Sequence, residues 1–109
     1  MQTVNRMAAI VTPTAPFFEW SESVLGEESN DCGPDQFRTV FLLPERNDAD
    51  QALKSVYADI FAEMLLASVN APEFWPKKRD LRIFRKWFDI ELIEMVFDAG
   101  DGGLWHDVL

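Results

Sequence analysis

The most constraining feature of this sequence is an unbroken apolar stripe in its middle. Its members recur at steps of three and one residues, the spacing of one face of an α-helix; they are Leu53, Val56, Tyr57, Ile60, Phe61, Met64 and Leu65. Asp48 and Gln51 have the spacing of a capping box, and Asp50 suits the positive end of the helix dipole. Asn70-Ala71-Pro72 predicts that the helix ends near Val69. The rest of the chain must supply an apolar surface for this helix to cover.

Three apolar runs are candidates for strands that form such a surface. Residues 7–11 are closed by Thr12-Pro13, and residues 38–43 are closed by Pro44. The third run, residues 90–97, is ambiguous, since it continues the helical period of the preceding segment and also alternates as a strand does. We favour the strand, because a third strand gives the helices a sheet to cover.

Two shorter helices complete the predicted fold. Thr14-Ala15-Pro16 indicates a start with a capping hydroxyl and a proline in the first turn, and Gly26 indicates the end. Asp80 can cap a third helix that runs through Phe88. The sequence predicts one α+β domain over residues 1–109, with a small three-stranded sheet packed by two to three helices in the order β-α-β-α-α-β. Residues 27–36 are rich in turn residues and predict a loop, and a flexible tail is expected from about residue 99.

Composition limits the class of protein. The chain has 109 residues, of which 48% are hydrophobic and 27% charged, values typical of a globular domain. Its single cysteine, Cys32, argues against a disulfide-built secreted domain, so we expect a cytoplasmic protein. No apolar run approaches the length of about 18 residues that a membrane span needs, and we expect no membrane partner.

Charge is distributed unevenly along the chain. Residues 77–86 contain six basic residues and the single acid Asp80, a net charge of +5; since the whole chain carries −9, the remainder carries −14. Basic residues beside aromatic rings can bind anions, and the candidate binding residues are Trp75, Lys77, Lys78, Arg79, Arg82 and Arg85. The acidic remainder would repel a polyanion, so nucleic acid is disfavoured and an acidic protein segment is the expected partner. The alternative is that these bases face the protein's own acids.

Catalytic and metal-binding patterns are weak. Cys32 has acidic neighbours that disfavour a thiolate, and His106 lies far along the chain. Asp98, Asp101 and Asp107 lack the spacing of a calcium loop. On a strand, Glu91 and Glu94 would lie on opposite faces and could not form an acid–base pair. The sequence therefore predicts no catalytic residue, no metal site and no cofactor, which lowers the expectation of an enzyme without excluding one.

Five short motifs together resemble a known family. They are Asn5-Arg6, Pro13-x-x-Pro16-Phe17-x-x-Trp20, Thr39-Val40-x-Leu42-x-Pro44-Glu45, Trp75-Pro76-x-x-Arg79 and Phe84-x-x-Trp87-Phe88-Asp89. Up to about Asp98 the chain resembles a family of short, uncharacterised bacterial cytosolic proteins. The resemblance implies a bacterial source and supports a strand over residues 90–97. It implies no activity and therefore no functional residue.

These observations favour a non-enzymatic protein-interaction module. A sheet covered on one side would leave Ile93, Met95 and Phe97 exposed, so we expect a homodimer through the sheet or its edge. One alternative is a small-ligand or anion-binding protein, or a small enzyme, with a pocket near Trp75 and Arg79 that Trp20 and Trp87 would help to line. Another is an acidic mimic of nucleic acid.

Overall fold

A computed structural model of the chain describes residues 2–26 and 37–100. Within these ranges the protein is an α+β fold with three α-helices and two antiparallel sheets. The elements are β1 (Gln2–Val4), β2 (Met7–Pro13), α1 (Ala15–Leu25), β3 (Thr39–Leu43), α2 (Ala49–Ser68), a 3₁₀ turn (Pro72–Phe74), α3 (Leu81–Trp87), β4 (Phe88–Ile93) and β5 (Val96–Asp98). The predicted fold class and element order are confirmed, with β1 and β5 in addition. The predicted loop at 27–36 and the tail beyond residue 100 lie outside the described residues.

Strand β2 lies at the centre of the three-stranded sheet, between β3 and β4. Both neighbours are antiparallel to it: Ala9 is paired with Phe41 on one side and with Leu92 on the other. The segment predicted as one strand over residues 90–97 is extended, but it forms two strands: β4 begins at Phe88 and ends at Ile93, and β5 follows a break at residues 94–95. The preceding helix therefore ends one residue earlier than predicted, at Trp87.

A two-stranded ribbon extends this sheet and was not predicted. Strands β1 and β5 pair with Val4 opposite Val96, whereas β2 and β4 pair with Ala8 opposite Ile93. Three residues thus lie between the two ladders on the first segment and two on the other, and the chain bends in both segments, at Asn5 and at Glu94. The polar N-terminus has no strand-like pattern of its own, and its pairing with β5 decides its conformation.

The core lies between one face of the sheet and the three helices. From the sheet, β2 contributes Ala9, Val11 and Pro13, which are buried in alternation. From α2 come most members of the predicted stripe, namely Leu53, Ile60, Phe61, Met64 and Leu65. Phe61 also joins a cluster of buried rings, with its centroid 5.5 Å from that of Phe88 and 5.7 Å from that of Phe84. Each fully buried side chain of this kind contributes about 1.5–3 kcal/mol.

The helix ends follow the sequence signals with one correction. The Asp48 and Asp80 carboxylates accept hydrogen bonds from the backbone N–H groups of Gln51 and Ile83, at 2.8 and 2.9 Å. Gly26 ends α1 in the left-handed conformation, with φ of 71°. The prediction that the Thr14 hydroxyl caps α1 is wrong: it donates instead to the Lys86 carbonyl, at 2.7 Å. The last carbonyl groups of a helix lack hydrogen-bond partners within the helix, and in α3 the Lys86 carbonyl accepts from Thr14 instead.

None of the helices in the described part of the chain combines the length and apolar character that crossing a membrane would require.

Candidate functional site

Trp75 and Arg79, two of the predicted binding residues, form a local structural corner after α2. The half-buried Trp75 indole donates from Nε1 to the Val69 carbonyl, at 2.8 Å. The Arg79 guanidinium carbon lies 5.8 Å from the centroid of the Trp75 ring, a cation–π distance, and its Nη1 donates to the Pro76 carbonyl at 2.7 Å. Both side chains therefore already hold the turn between α2 and α3.

The other predicted basic residues divide into two groups. Arg85 forms an ion pair with Asp50, at 3.0 Å, and Lys54 reaches the same carboxylate at 2.9 Å. The hydrogen bond from Lys54, reinforced by Arg85, holds the pKa of Asp50 below its ordinary value of 3.8. By contrast, Lys77, Lys78 and Arg82 are exposed and have no ion pair with a described residue. Binding of an acidic segment by these predicted residues stays a prediction.

Two of the tryptophans expected to line the predicted pocket are in contact with each other, and the pocket itself stays a prediction. Trp20 and Trp87 lie with their centroids 5.8 Å apart, and the Trp20 indole donates to the Phe74 carbonyl at 3.0 Å. Two surface grooves lie elsewhere. One, of about 190 Å³, is between β3 and α2, and the other, of about 230 Å³, is beside the break between the two sheets. Neither is lined by a residue of the predicted site.

The sheet face turned away from the helices is a surface that the helices leave open to water. Residues paired in the observed register form rows that run across β4, β2 and β3. The first row is Ile93–Ala8–Leu42, the second is Glu91–Ile10–Val40, and the third begins with Asp89–Thr12. We call these eight residues the open face. Val40 is 60% and Leu42 49% exposed, and Ile10 and Ile93 are half-buried. The free side of an antiparallel sheet is commonly polar, whereas two rows of this one are mainly apolar.

Arg38 extends the third row. The rings of Phe37 and Phe17 are in contact, with centroids 5.6 Å apart, so Phe37 points toward the helices. Strand residues alternate between faces, and Arg38, which directly precedes β3, lies on the same side as Val40 if this alternation continues one residue beyond the strand. Arg38 and Asp89, at opposite ends of this row, are both exposed and form no ion pair with any described residue. Among the described residues, Arg38 beside the β3 edge of the open face and Asp89 at its β4 edge thus carry charges without an ion-pair partner.

Candidate catalytic and metal-binding residues receive no support from the described residues. Residues 2–26 and 37–100 contain no group of three or more potential metal ligands among histidine, cysteine, aspartate and glutamate. Cys32 and His106 lie outside these ranges. Glu91 is on β4, and Glu94 lies at the break between β4 and β5.

No protein-family model, curated protein or solved structure matches this chain. The resemblance drawn from the short motifs stays a prediction.

Part of the open face was foreseeable from the sequence. Both alternating sets of β2 are apolar, with Ala9 and Val11 on one side and Ala8 and Ile10 on the other. A strand with this pattern needs cover on both faces. The sequence did not indicate which side the helices would leave bare, and sequence analysis missed Val40 and Leu42 as exposed residues.

Proposed function

We propose that this chain is a non-enzymatic protein-interaction module whose open face docks a second copy of itself. The observation that supports this is the mainly apolar character of two rows of the open face, in which Val40 and Leu42 are exposed to water. Removing such side chains from water is favourable by about 25 cal/mol per Å² of apolar surface, and the entropic costs of association oppose this gain. Two sheets that pack face to face provide this burial in many β proteins.

The charges at the two edges of the face favour one symmetric arrangement. Rotation about a two-fold axis parallel to β2 exchanges the positions of β3 and β4 while keeping each row at its level. Asp89 of each copy then lies opposite Arg38 of the other, and Ile93 lies opposite Leu42. Opposite charges at matching positions select such a register over others.

The competing two-fold arrangement is less favourable. An axis across the strands would place each strand over its own copy, so Glu91 would face Glu91 and Asp89 would face Ile93. The two Glu91 carboxylates would repel each other, and Asp89 would lose its hydration against an apolar side chain. In the preferred arrangement Glu91 is opposite Val40, and because β4 is an edge strand its carboxylate can remain in solvent.

The size of the face predicts a weak dimer. Three strands spaced about 4.8 Å apart and three rows about 7 Å apart span an area far below the roughly 800 Å² per partner of a standard interface. We therefore expect a dimer that forms at high micromolar concentration and dissociates on dilution.

Sedimentation velocity from low micromolar to near-millimolar protein tests this proposal. The wild-type chain should shift from monomer to dimer, and Leu42→Glu should abolish the shift. Leu66→Glu is the matched control, because Leu66 is 40% exposed but lies on α2. A wild-type chain that stays monomeric, or a Leu42→Glu chain that still dimerises, contradicts the proposal.

Charge reversal tests the register separately. Asp89→Arg and Arg38→Asp should each weaken the dimer, and the double variant should restore it. If the double variant dimerises no better than either single variant, the two residues do not meet and the axis parallel to β2 is wrong.

We also propose a cytoplasmic location, which is supported by the single cysteine in the sequence. Fractionation of a native host with an antibody to the chain should place it with cytosolic markers. Recovery in an oxidising compartment would contradict this location.

A further inference from the structure

The outer edge of β3 is an open hydrogen-bonding edge. Strand β3 pairs with β2 on one side, and no strand of residues 2–26 or 37–100 pairs with its other side. Alternate residues of an edge strand direct backbone N–H and C=O groups outward, where another extended segment can pair with them. This edge is distinct from the open face, which presents side chains.

A groove runs alongside this edge. Phe41 and Leu42 of β3 form one wall and residues of α2 form the other, and the groove has a volume of about 190 Å³. The lining residues of α2 are Val56, Asp59, Ile60 and Glu63, which recur at the spacing of a single helix face. The groove is therefore apolar at its base and carries two carboxylates from α2.

No cation of residues 2–26 or 37–100 pairs with these two carboxylates. Asp59 and Glu63 are exposed, are four residues apart on α2, and have no ion pair with a described residue. Like charges at this spacing repel each other and destabilise a helix slightly. One helical turn before Lys54, in contrast, Asp50 is paired with both Lys54 and Arg85. A basic partner in the groove would relieve the repulsion.

We propose that the β3 edge binds an extended segment of another protein in which lysine or arginine alternates with apolar residues. The segment adds to the sheet as a fourth strand through backbone hydrogen bonds. Its basic side chains lie over the groove, with their aliphatic stems on Val56 and Ile60 and their charged groups at Asp59 and Glu63. Its apolar side chains project on the opposite side of the sheet and extend the two rows of the open face that end at Val40 and Leu42.

The partner is a different protein because this chain has no suitable strand. Strand β3 contains no basic residue, and β4 carries Asp89 and Glu91. Residues 27–36 and 101–109 contain neither lysine nor arginine. Six of the chain's ten basic residues are in the 77–86 segment, most of which belongs to α3. Pairing of two copies through their β3 edges would leave Asp59 and Glu63 without cations.

Fluorescence polarisation with a defined peptide pool tests this inference. The probe is a pool of fluorescein-labelled octapeptides in which lysine or arginine alternates with valine, isoleucine or leucine. The control pool has glutamate at the basic positions. At low micromolar protein the basic pool should bind and the acidic pool should not. Equal binding of the two pools, or no binding of the basic pool, overturns the proposal.

Charge reversal of the groove separates a specific site from general attraction to an acidic protein. The double variant Asp59→Lys/Glu63→Lys should weaken binding about tenfold, because two attractions become two repulsions. The matched control Glu19→Lys/Glu73→Lys changes the net charge equally but alters exposed residues outside the groove. The proposal fails if the two double variants lower the affinity equally.

A third pool tests strand addition itself. The backbone nitrogens of the peptides are methylated at alternate positions, at odd positions in one version and at even positions in the other, and the side chains are retained. Only one of these two sets of N–H groups can pair with β3. One version should therefore lose binding, and the other should retain most of it. If both versions bind like the unmethylated pool, no strand is added. Dimerisation is measured by sedimentation and strand addition by peptide binding, so the failure of one proposal is distinguishable from the failure of the other.

Discussion

Replacement of Phe61 by alanine should remove a large part of the protein's stability. The Phe61 side chain is completely buried on α2, and its ring centroid lies 5.7, 5.8 and 5.5 Å from those of Phe84, Trp87 and Phe88. Such a substitution removes the transfer free energy of the ring and leaves a cavity, a combined cost of about 3–5 kcal/mol. The total free energy of unfolding of a small domain is about 5–15 kcal/mol. The melting temperature should therefore fall by about 12 °C or more.

Urea unfolding followed by tryptophan fluorescence measures this loss, because Trp87 lies in the same cluster of rings. Phe74→Ala is the matched control: Phe74 is 56% exposed, and the same chemical change there should alter the free energy of unfolding by less than about 0.5 kcal/mol. The slope of the free energy against urea concentration should be similar in both variants, so that midpoints can be compared.

Two results would refute this reasoning about the core. One is a loss below about 1.5 kcal/mol for Phe61→Ala, which would mean that the surrounding rings collapse into the space or that the cluster is not packed as described. The other is an equal loss for Phe74→Ala, which would show that burial does not determine the cost.

Three further predictions concern local contacts. Asp48→Ala should lower the free energy of unfolding by about 1 kcal/mol in urea titrations, whereas Asp48→Asn should retain most of the cap to Gln51. Thr14→Val should cost about 1 kcal/mol by loss of the bond to Lys86, and a Thr14→Ser variant as unstable as Thr14→Val would contradict this. In a carbon-detected NMR titration, Lys54→Gln should raise the pKa of Asp50 more than Arg85→Gln does, since the Lys54 hydrogen bond is the larger cause of its depression. Because the pKa of Asp50 is depressed on folding, its contribution to the free energy of unfolding should be complete above pH 3.8 and be lost as the pH falls through the folded-state pKa. If Lys54→Gln changes the free energy of unfolding by the same amount at every acid pH, this contribution is absent.

The helices were predictable because their signals are local. The apolar stripe of α2 and the carboxylates of Asp48 and Asp80 act within a few residues of chain, and the helices begin where these residues indicate. Gly26 ends α1 for an equally local reason, the ease with which glycine adopts positive φ.

The candidate site was only partly predictable because it depends on distant pairings. Trp75 and Arg79 were singled out by composition, but the Trp75 indole donates to Val69 and the Arg79 guanidinium to Pro76. Likewise, nothing near Thr14 in the sequence indicates that its hydroxyl would meet Lys86, 72 residues away.

The sequence by itself determined the α+β class, the three helices and the apolar strands, because periodicity, capping and turn residues act over short distances. Only the tertiary structure decided which face of the sheet the helices cover, and therefore that Val40 and Leu42 are exposed while Ala9 and Val11 are buried. Both faces of β2 are apolar, so hydrophobicity alone does not distinguish them. Helix packing on one face makes the distinction, and it leaves the opposite face and the β3 edge as the surfaces available to partners.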